Sequence, residues 1–335
     1  MKRFLRKIFI RDSGALVLMY HRIATPAIDP WELCVSPENF EQQLLYLKQE
    51  YRVIPMQELT QRIQTREPLK NYIAITFDDG YRDNYTHAMP LLEKYSMPAT
   101  FFFTLQFQAA DKFYWWDELE QRILLTPTLP RHLSLSLESE TFEFDLSDAA
   151  TLTASQQSEM RCWYYGKPLY NARLELFYKL WALIKPASIA KQQSIMQTLR
   201  AWTGTIDRDT NLLMDAAQIQ STAQSSLFEI GAHTVNHPAL EYLEAEEQNH
   251  EMQQSKTALE TLTGKYIAGI AYPYGSMNHD TSVQAQASAF RYAVSTQAGV
   301  CTHASDLYAL PRFQVTNLDG EAFRKSIKIW QGNNG

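Results

Sequence analysis

Short apolar runs separated by amphipathic helical patterns place this 335-residue chain in the α/β class, with a parallel sheet or barrel at its centre. Two further observations support that reading. The runs are continuous rather than alternating, as buried strands require. Polar residues able to do chemistry stand at their C-terminal ends, His21 after one run and Asp78-Asp79 after another. That is the edge at which barrel sites form.

Taken in order, Ala15 to Tyr20 is the first buried strand and ends at His21-Arg22. Ser36-Pro37 offers an N-cap and a first-turn proline. The helix that follows carries Phe40, Leu44 and Leu47 on one stripe and stops near Glu50. Val53-Ile54 reads as a short strand, Ile73 to Phe77 as a strand, Pro90 to Tyr95 as a helix, and Ala99 to Thr104 as a strand. The alternation resumes with strands at Leu227 to Gly231, Tyr266 to Tyr272, Tyr292 to Ser295 and Tyr308 to Val315. Between the first two of these, Glu244 to Leu262 reads as one amphipathic helix ending at Gly264.

Residues 106–225 break the pattern. They open on Phe113-Tyr114-Trp115-Trp116. Leu133 to Leu137 and Phe142 to Leu146 then alternate apolar with polar residues, the signature of a half-exposed hairpin. Long helical patterns follow over Leu174 to Ile184 and Ala190 to Trp202. The domain reading is a basic leader over 1–14, one scaffold over 15–105 and 226–335, and an insertion over 106–225.

The composition is globular, with 45% hydrophobic and 20% charged residues, and the net charge of −6 carries no nucleic-acid footprint. Cys34, Cys162 and Cys301 form no CxxC pair and no disulfide framework, which fits a reducing compartment. Charges interrupt residues 1–11 every two or three positions, so no secretory apolar region forms there. No segment approaches the ~20 apolar residues that span a bilayer. The expectation is a cytoplasmic protein with a solvated basic leader, able to touch an anionic membrane face.

Two constellations carry chemistry. Ile73 to Gly80 delivers Asp78 and Asp79 at the end of a strand. Adjacent strand residues point to opposite faces, so a turn beginning at Gly80 is needed to bring both into one pocket. His233 and His237 are four apart, and one helical turn sets both imidazoles on one side, with Pro238 ending that turn at His237. Two imidazoles and one carboxylate form an open metal set that suits Zn²⁺ and also Co²⁺ or Ni²⁺.

On these residues the chain resembles the NodB-like polysaccharide deacetylases, carbohydrate esterase family 4. Thr76-Phe77-Asp78-Asp79-Gly80 matches that family's first motif, and His233-Thr234-Val235-Asn236-His237-Pro238 its second. Leu18 to Ile23 resembles the opening strand, and Ala271-Tyr272-Pro273-Tyr274-Gly275 the third motif. The resemblance spans roughly 16–104 and 226–318. It implies a distorted (β/α) barrel of the NodB-homology type with a large mixed α+β insertion. It also implies metal-dependent removal of N-acetyl groups from sugars. By position, Asp79, His233 and His237 become metal ligands and Asp78 the general base for the attacking water. The backbone N–H of Tyr274 becomes a donor to the tetrahedral oxyanion.

The chain departs from the family pattern in three places. The arginine that usually opens the third motif is Ala271 here; Arg312, in Leu310-Pro311-Arg312 at the end of a late strand, is the candidate replacement, against a surface salt bridge. No clear fourth motif appears. No late Leu-x-x-His supplies the general acid, a proton donor that amide cleavage needs. His21 is the candidate acid, against a satisfied core histidine, and His303 is the weaker one. Trp115 and Trp116 stack on sugar faces or anchor the insertion.

The resulting expectation is an N-deacetylase acting on an amino sugar in a glycan, glycolipid or lipid-linked precursor. Its rivals are an O-deacetylase or deformylase on the same scaffold, a catalytically silent glycan-binding protein, and a structural metal domain. An open three-ligand set disfavours the last.

Overall fold

The computed structural model describes residues 14–108, 113–137, 141–206 and 213–332. The leader expected over 1–14 lies outside them apart from Gly14. In chain order the strands are β1 (Leu16–Tyr20), β2 (Arg22–Ile23), β3 (Cys34–Val35), β4 (Arg52–Val53), β5 (Tyr72–Phe77), β6 (Ala99–Phe103), β7 (His132–Ser136), β8 (Thr141–Asp145), β9 (Phe228–Ala232), β10 (Gly269–Ala271), β11 (Tyr292–Val294) and β12 (Phe313–Gln314). The helices are α1 (Pro37–Glu50), α2 (Met56–Thr65), α3 (Met89–Tyr95), α4 (Trp115–Glu120), α5 (Ala154–Arg161), α6 (Ala172–Ile184), α7 (Ile189–Thr203), α8 (Ala216–Gln224), α9 (Ala245–Thr263), α10 (His279–Ala287) and α11 (Gly320–Trp330).

The main sheet runs β11-β10-β9-β6-β5-β1-β12 with every pairing parallel, and β4 adds to β5. Its two edges meet through a parallel bridge between Val294 and Leu310, just ahead of β12. The result is a distorted (β/α) barrel, closed at its last joint by a short contact rather than a full strand.

The continuous apolar runs are two interleaved faces. Leu16, Leu18 and Tyr20 of β1, with Ile73, Ile75 and Phe77 of β5 and Phe101 and Phe103 of β6, pack beneath α1, α3, α8, α9 and α11. The alternate positions Val17, Ala74, Phe102, Ala271, Tyr292, Val294 and Leu310 come from strands all round the sheet and form one inner cluster, against Met56, Leu59 and Ile63 of α2. Period-two side-chain alternation produces that division. Met19, Thr76 and Asp78 continue the inner parity toward the C-terminal ends, where the ring becomes polar.

Two late strands are shorter than their apolar patterns. Tyr308 to Val315 reduces to β12, because Pro311 has no N–H to give a ladder and the chain there already bridges β11 through Leu310. Tyr266 to Tyr272 reduces to β10; Tyr266 instead donates its hydroxyl to the Ala289 carbonyl. Arg312 therefore stands immediately before β12 and not at a strand's end.

The middle segment has an apolar cluster of its own. It gathers Leu119, Leu133, Leu135, Trp163, Phe177, Leu180 and Leu199 from α4, the β7–β8 hairpin, the stretch after α5, and helices α6 and α7. Buried Arg173 pins it without any acid, donating to the carbonyls of Ile123, Thr126, Ala149 and Ala150 at 2.7–2.8 Å. Ile219 and Ala223 of α8, by contrast, pack with the barrel cluster.

Candidate active site

β5 ends at Phe77, and the next residues decide where its acids go. Asp79 takes φ +70° and Gly80 φ +72°, so the turn begins one residue earlier than the sequence suggests. Two consecutive left-handed residues reverse the chain and carry Asp79 round to the side that Asp78 already faces. At Gly80 a Cβ would stand 2.6 Å from the Phe103 ring, so glycine is required there for space as well as for backbone conformation. The Tyr114 hydroxyl donates to the Asp79 carbonyl at 2.6 Å and shares a hydrogen bond of 2.8 Å with Thr104.

The two histidines do not lie on a helical turn. His233 leaves β9, its N–H bound to the Phe103 carbonyl, and the chain then loops with Thr234 at φ +66° and His237 at φ +56°. Pro238 does bar His237 from the right-handed helical region, but the residue adopts the left-handed one. The loop is held by Glu251 of α9. Its carboxylate accepts from the backbone N–H groups of Val235 and Asn236, at 2.8 and 2.9 Å, and from the Asn236 side chain at 2.7 Å. Sequence reading missed Glu251; the signal for it was a glutamate on the buried stripe of an amphipathic helix.

Asp79 Oδ1 lies 3.3 Å from both imidazole Nε2 atoms, which are 3.1 Å apart. Metal–ligand bonds of about 2.0–2.1 Å in tetrahedral geometry set their ligand atoms about 3.3 Å apart, so the triangle fits a zinc-type ion. The Nδ1 of His233 lies 2.7 Å from the Ala271 carbonyl, which makes it the donor and turns the Nε2 lone pair inward. The Nε2 atoms of both buried imidazoles converge on one spot beside Asp79, an arrangement that suits a shared cation. Burial by itself would raise the Asp79 carboxyl, but its bonds to both histidines hold it well below the usual carboxylate range. Burial lowers His237 to about 4. His233 is lowered by burial too, yet the Asp79 bond, the charges of Asp78 and Asp79 and the Ala271 carbonyl together outweigh this, and its net direction is up.

Asp78 is gripped from the opposite side of the ring. Arg312 meets it in a two-pronged pair, Nη1 to Oδ1 at 2.8 Å and Nη2 to Oδ2 at 2.6 Å. The guanidinium also donates to the Ser295 carbonyl and the Thr76 hydroxyl. Arg312 is fully buried, which excludes a surface salt bridge. Burial would raise the Asp78 carboxyl, but the adjacent guanidinium brings it below its ordinary value.

Asp78, Asp79, His233 and His237 open into a pocket of about 500 Å³ that His21, Trp116 and Tyr274 also line. His21 stands just past β1, on the parity of Met19. Tyr274 takes φ +58° in the short turn after β10, its ring 4.5 Å from His237. Trp116 packs 4.6 Å from His237 on one side and stacks on Tyr114 at 4.1 Å on another. Its indole N–H donates to Tyr81, whose hydroxyl donates to Asp117. Asp117 thus holds the wall without lining the pocket, and burial pushes its carboxyl up to about 7. Trp115 belongs to the rim of a separate pocket, and His303 does not line the site.

The polysaccharide deacetylase family model matches residues 65–123 and 189–293, skipping most of the segment with its own apolar cluster. A Bacillus subtilis (strain 168) protein named as a polysaccharide deacetylase, YxkH, is 22% identical over 93% of this chain and 75% of its own length. The poly-β-1,6-N-acetyl-D-glucosamine N-deacetylase of Staphylococcus epidermidis is 26% identical over 36% of this chain and 43% of its own length. Among solved structures, the Streptococcus pyogenes deacetylase PplD superposes with a TM-score of 0.55 at 23% identity, covering 93% of this chain and 97% of that one. IcaB from Ammonifex degensii gives 0.55 at 17% identity over 95% and 97%. Both share the fold described above. Family match, relatives, fold and the two motifs agree: the chain belongs to the polysaccharide deacetylase family.

Proposed function

We propose that this protein is a metal-dependent N-deacetylase acting on an acetamido sugar within a glycan, glycolipid or lipid-linked glycan precursor. The observation that carries the reading is one pocket holding both the Asp79–His233–His237 triangle and the Arg312-clamped Asp78. In this reading the triangle holds the metal, with Zn²⁺ the best match to its donors and spacing and Co²⁺ or Ni²⁺ as substitutes. When bound, the ion supplies the Lewis acidity that acidifies water and polarises an acyl carbonyl.

The chain's own residues do the rest. Asp78 takes the proton from the attacking water; Arg312 keeps the carboxylate ionised and fixes its plane. The Tyr274 backbone N–H donates to the oxygen on which charge develops. His21 hands a proton to the departing amine. Trp116 and Tyr274 form apolar walls suited to the C–H face of a sugar ring.

We read residues 106–225 as an insertion that supplies part of the pocket wall, since its cluster is separate from the barrel's. We place the reaction in the cytoplasm, at the membrane face if the substrate is lipid-linked. Three free cysteines favour a reducing compartment, and no helix among the described residues is long and apolar enough to cross a membrane.

The test is acetate release from N-acetylated glycans by zinc-loaded protein beside Asp78→Asn. Loss of release in the variant, with metal content unchanged, is the expected result. Equal release by both would remove Asp78 from its role. Release of formate, or of acetate from O-acetyl esters only, would move the protein to a neighbouring hydrolase class.

A further inference from the structure

Beyond the triangle the pocket runs onto residues the barrel strands do not supply. Trp31 comes from the loop between β2 and β3, Tyr165 from the loop between α5 and α6, and Trp181 and Lys185 from the end of α6. The rings form a connected wall. Trp31 and Trp181 are 4.4 Å apart at 31°, and Tyr165 stands 5.5 Å from Trp31. The Lys185 ammonium lies 4.9 Å over the Trp181 ring and 4.9 Å over the Tyr274 ring, and Tyr274 is the ring that touches His237. A cation therefore stands where the aromatic wall meets the reacting end.

The charges around it are unevenly matched. Asp78 is balanced by Arg312 and Asp79 by the histidines or the ion they hold. Lys185 is half-buried, and among the described residues no carboxylate comes within ion-pair distance of it. Glu241 acts on it only at longer range. Glu32 also lines the pocket, but Asp29 and Lys167 are the charges that act on it. A half-desolvated ammonium held between two ring faces, with no acid of its own, is an anion acceptor.

We propose that Trp31, Tyr165, Trp181 and Lys185 form a second subsite, which takes a negatively charged sugar unit next to the acetamido sugar. The aromatic wall receives the ring's C–H face and Lys185 its oxyanion, either a uronate carboxylate or a phosphoester. This rests on the deacetylase reading and narrows its substrate to anionic glycans or sugar phosphates.

The experiment uses zinc-loaded full-length protein and three probes: a neutral N-acetylglucosamine disaccharide, a disaccharide of N-acetylglucosamine and a uronic acid, and an N-acetylglucosamine phosphate. Acetate release gives KM, and calorimetry on Asp78→Asn gives Kd. At least one anionic probe is expected to bind about tenfold tighter than the neutral one, as one charge-assisted contact supplies. Lys185→Met and Lys185→Glu should collapse that ratio to unity or invert it. The uronate and phosphate arms show which oxyanion the site takes. Equal binding of all three probes, or an anionic preference that survives both Lys185 variants, overturns the subsite. If no probe is deacetylated but a Lys185-dependent preference remains in Kd, the subsite stands and the deacetylase reading fails. Acetate release without charge preference gives the reverse.

Discussion

Arg312 and Asp78 are 234 positions apart in the chain and form a two-pronged ion pair in which neither side chain is more than 3% exposed. Burying both charges is offset only because the geometry is bidentate and the guanidinium's remaining N–H groups find Thr76 and Ser295. The pair joins the strand that delivers the acids to the segment that closes the barrel.

Breaking that pair leaves a buried carboxylate alone. Arg312→Met should lower stability by about 3–5 kcal/mol. Arg312→Lys keeps the charge without the fork and should stay folded, with kcat down by about a hundredfold. Urea unfolding measures the first, and acetate release by the second separates orientation of Asp78 from its charge. Unchanged kcat in the lysine variant would remove Arg312 from catalysis.

Metal binding should be visible in stability alone. An ion that binds only the folded state at a hundredfold excess over its Kd adds about 2.7 kcal/mol. Zinc is therefore expected to raise the melting temperature of the metal-free protein, and a chelator to reverse the shift. In Asp79→Asn and His233→Ala the shift should vanish. A shift of wild-type size in either variant would place the ion elsewhere.

Glu251 acts on the loop that carries His233 and His237 from outside it. Glu251→Gln keeps the size but loses the charge that gathers the N–H groups of Val235 and Asn236. Supporting residues of this kind change metal affinity by about ten- to a hundredfold. Zinc competition against a chromophoric chelator should show a loss in that range, with the melting temperature of the metal-free form little changed.

Part of the acid sensitivity should lie in the middle segment. Glu118 is buried, which alone would raise its carboxyl, but Arg200 and Arg122 outweigh this and hold it below the usual glutamate value. A folded-state pKa below the unfolded one gives stability that is fully present above the unfolded value, about 4.3, and lost as pH falls through the folded one. Unfolding free energies measured from pH 7 down to pH 3 should fall more steeply for wild type than for Glu118→Gln. Parallel curves would show that the ion pairs do not couple to folding.

Much of this was legible in the chain because it is written in local pattern. Apolar runs named the strands, Ser36-Pro37 and Gly264 named helix ends, and alternation over 133–146 named the hairpin. The adjacency of Asp78 with Asp79, and of His233 with His237, also announced a polar pocket at strand ends. Other features misled. The four-residue spacing of the histidines suggests a helix, whereas the loop takes its shape from left-handed Thr234 and His237 and from a glutamate on α9.

By itself, then, the sequence determined the α/β class, the order of its elements, and the residue types available for a metal and a base. Only the tertiary structure decided that Arg312 reaches Asp78, that the Ala271 carbonyl sets the His233 tautomer, and that Trp31 and Trp181 share a wall with Lys185. Local pattern reports which way a side chain faces within its own element. Contacts between residues tens to hundreds of positions apart depend on how the ring closes, and that is set by the packing of all the strands and helices at once.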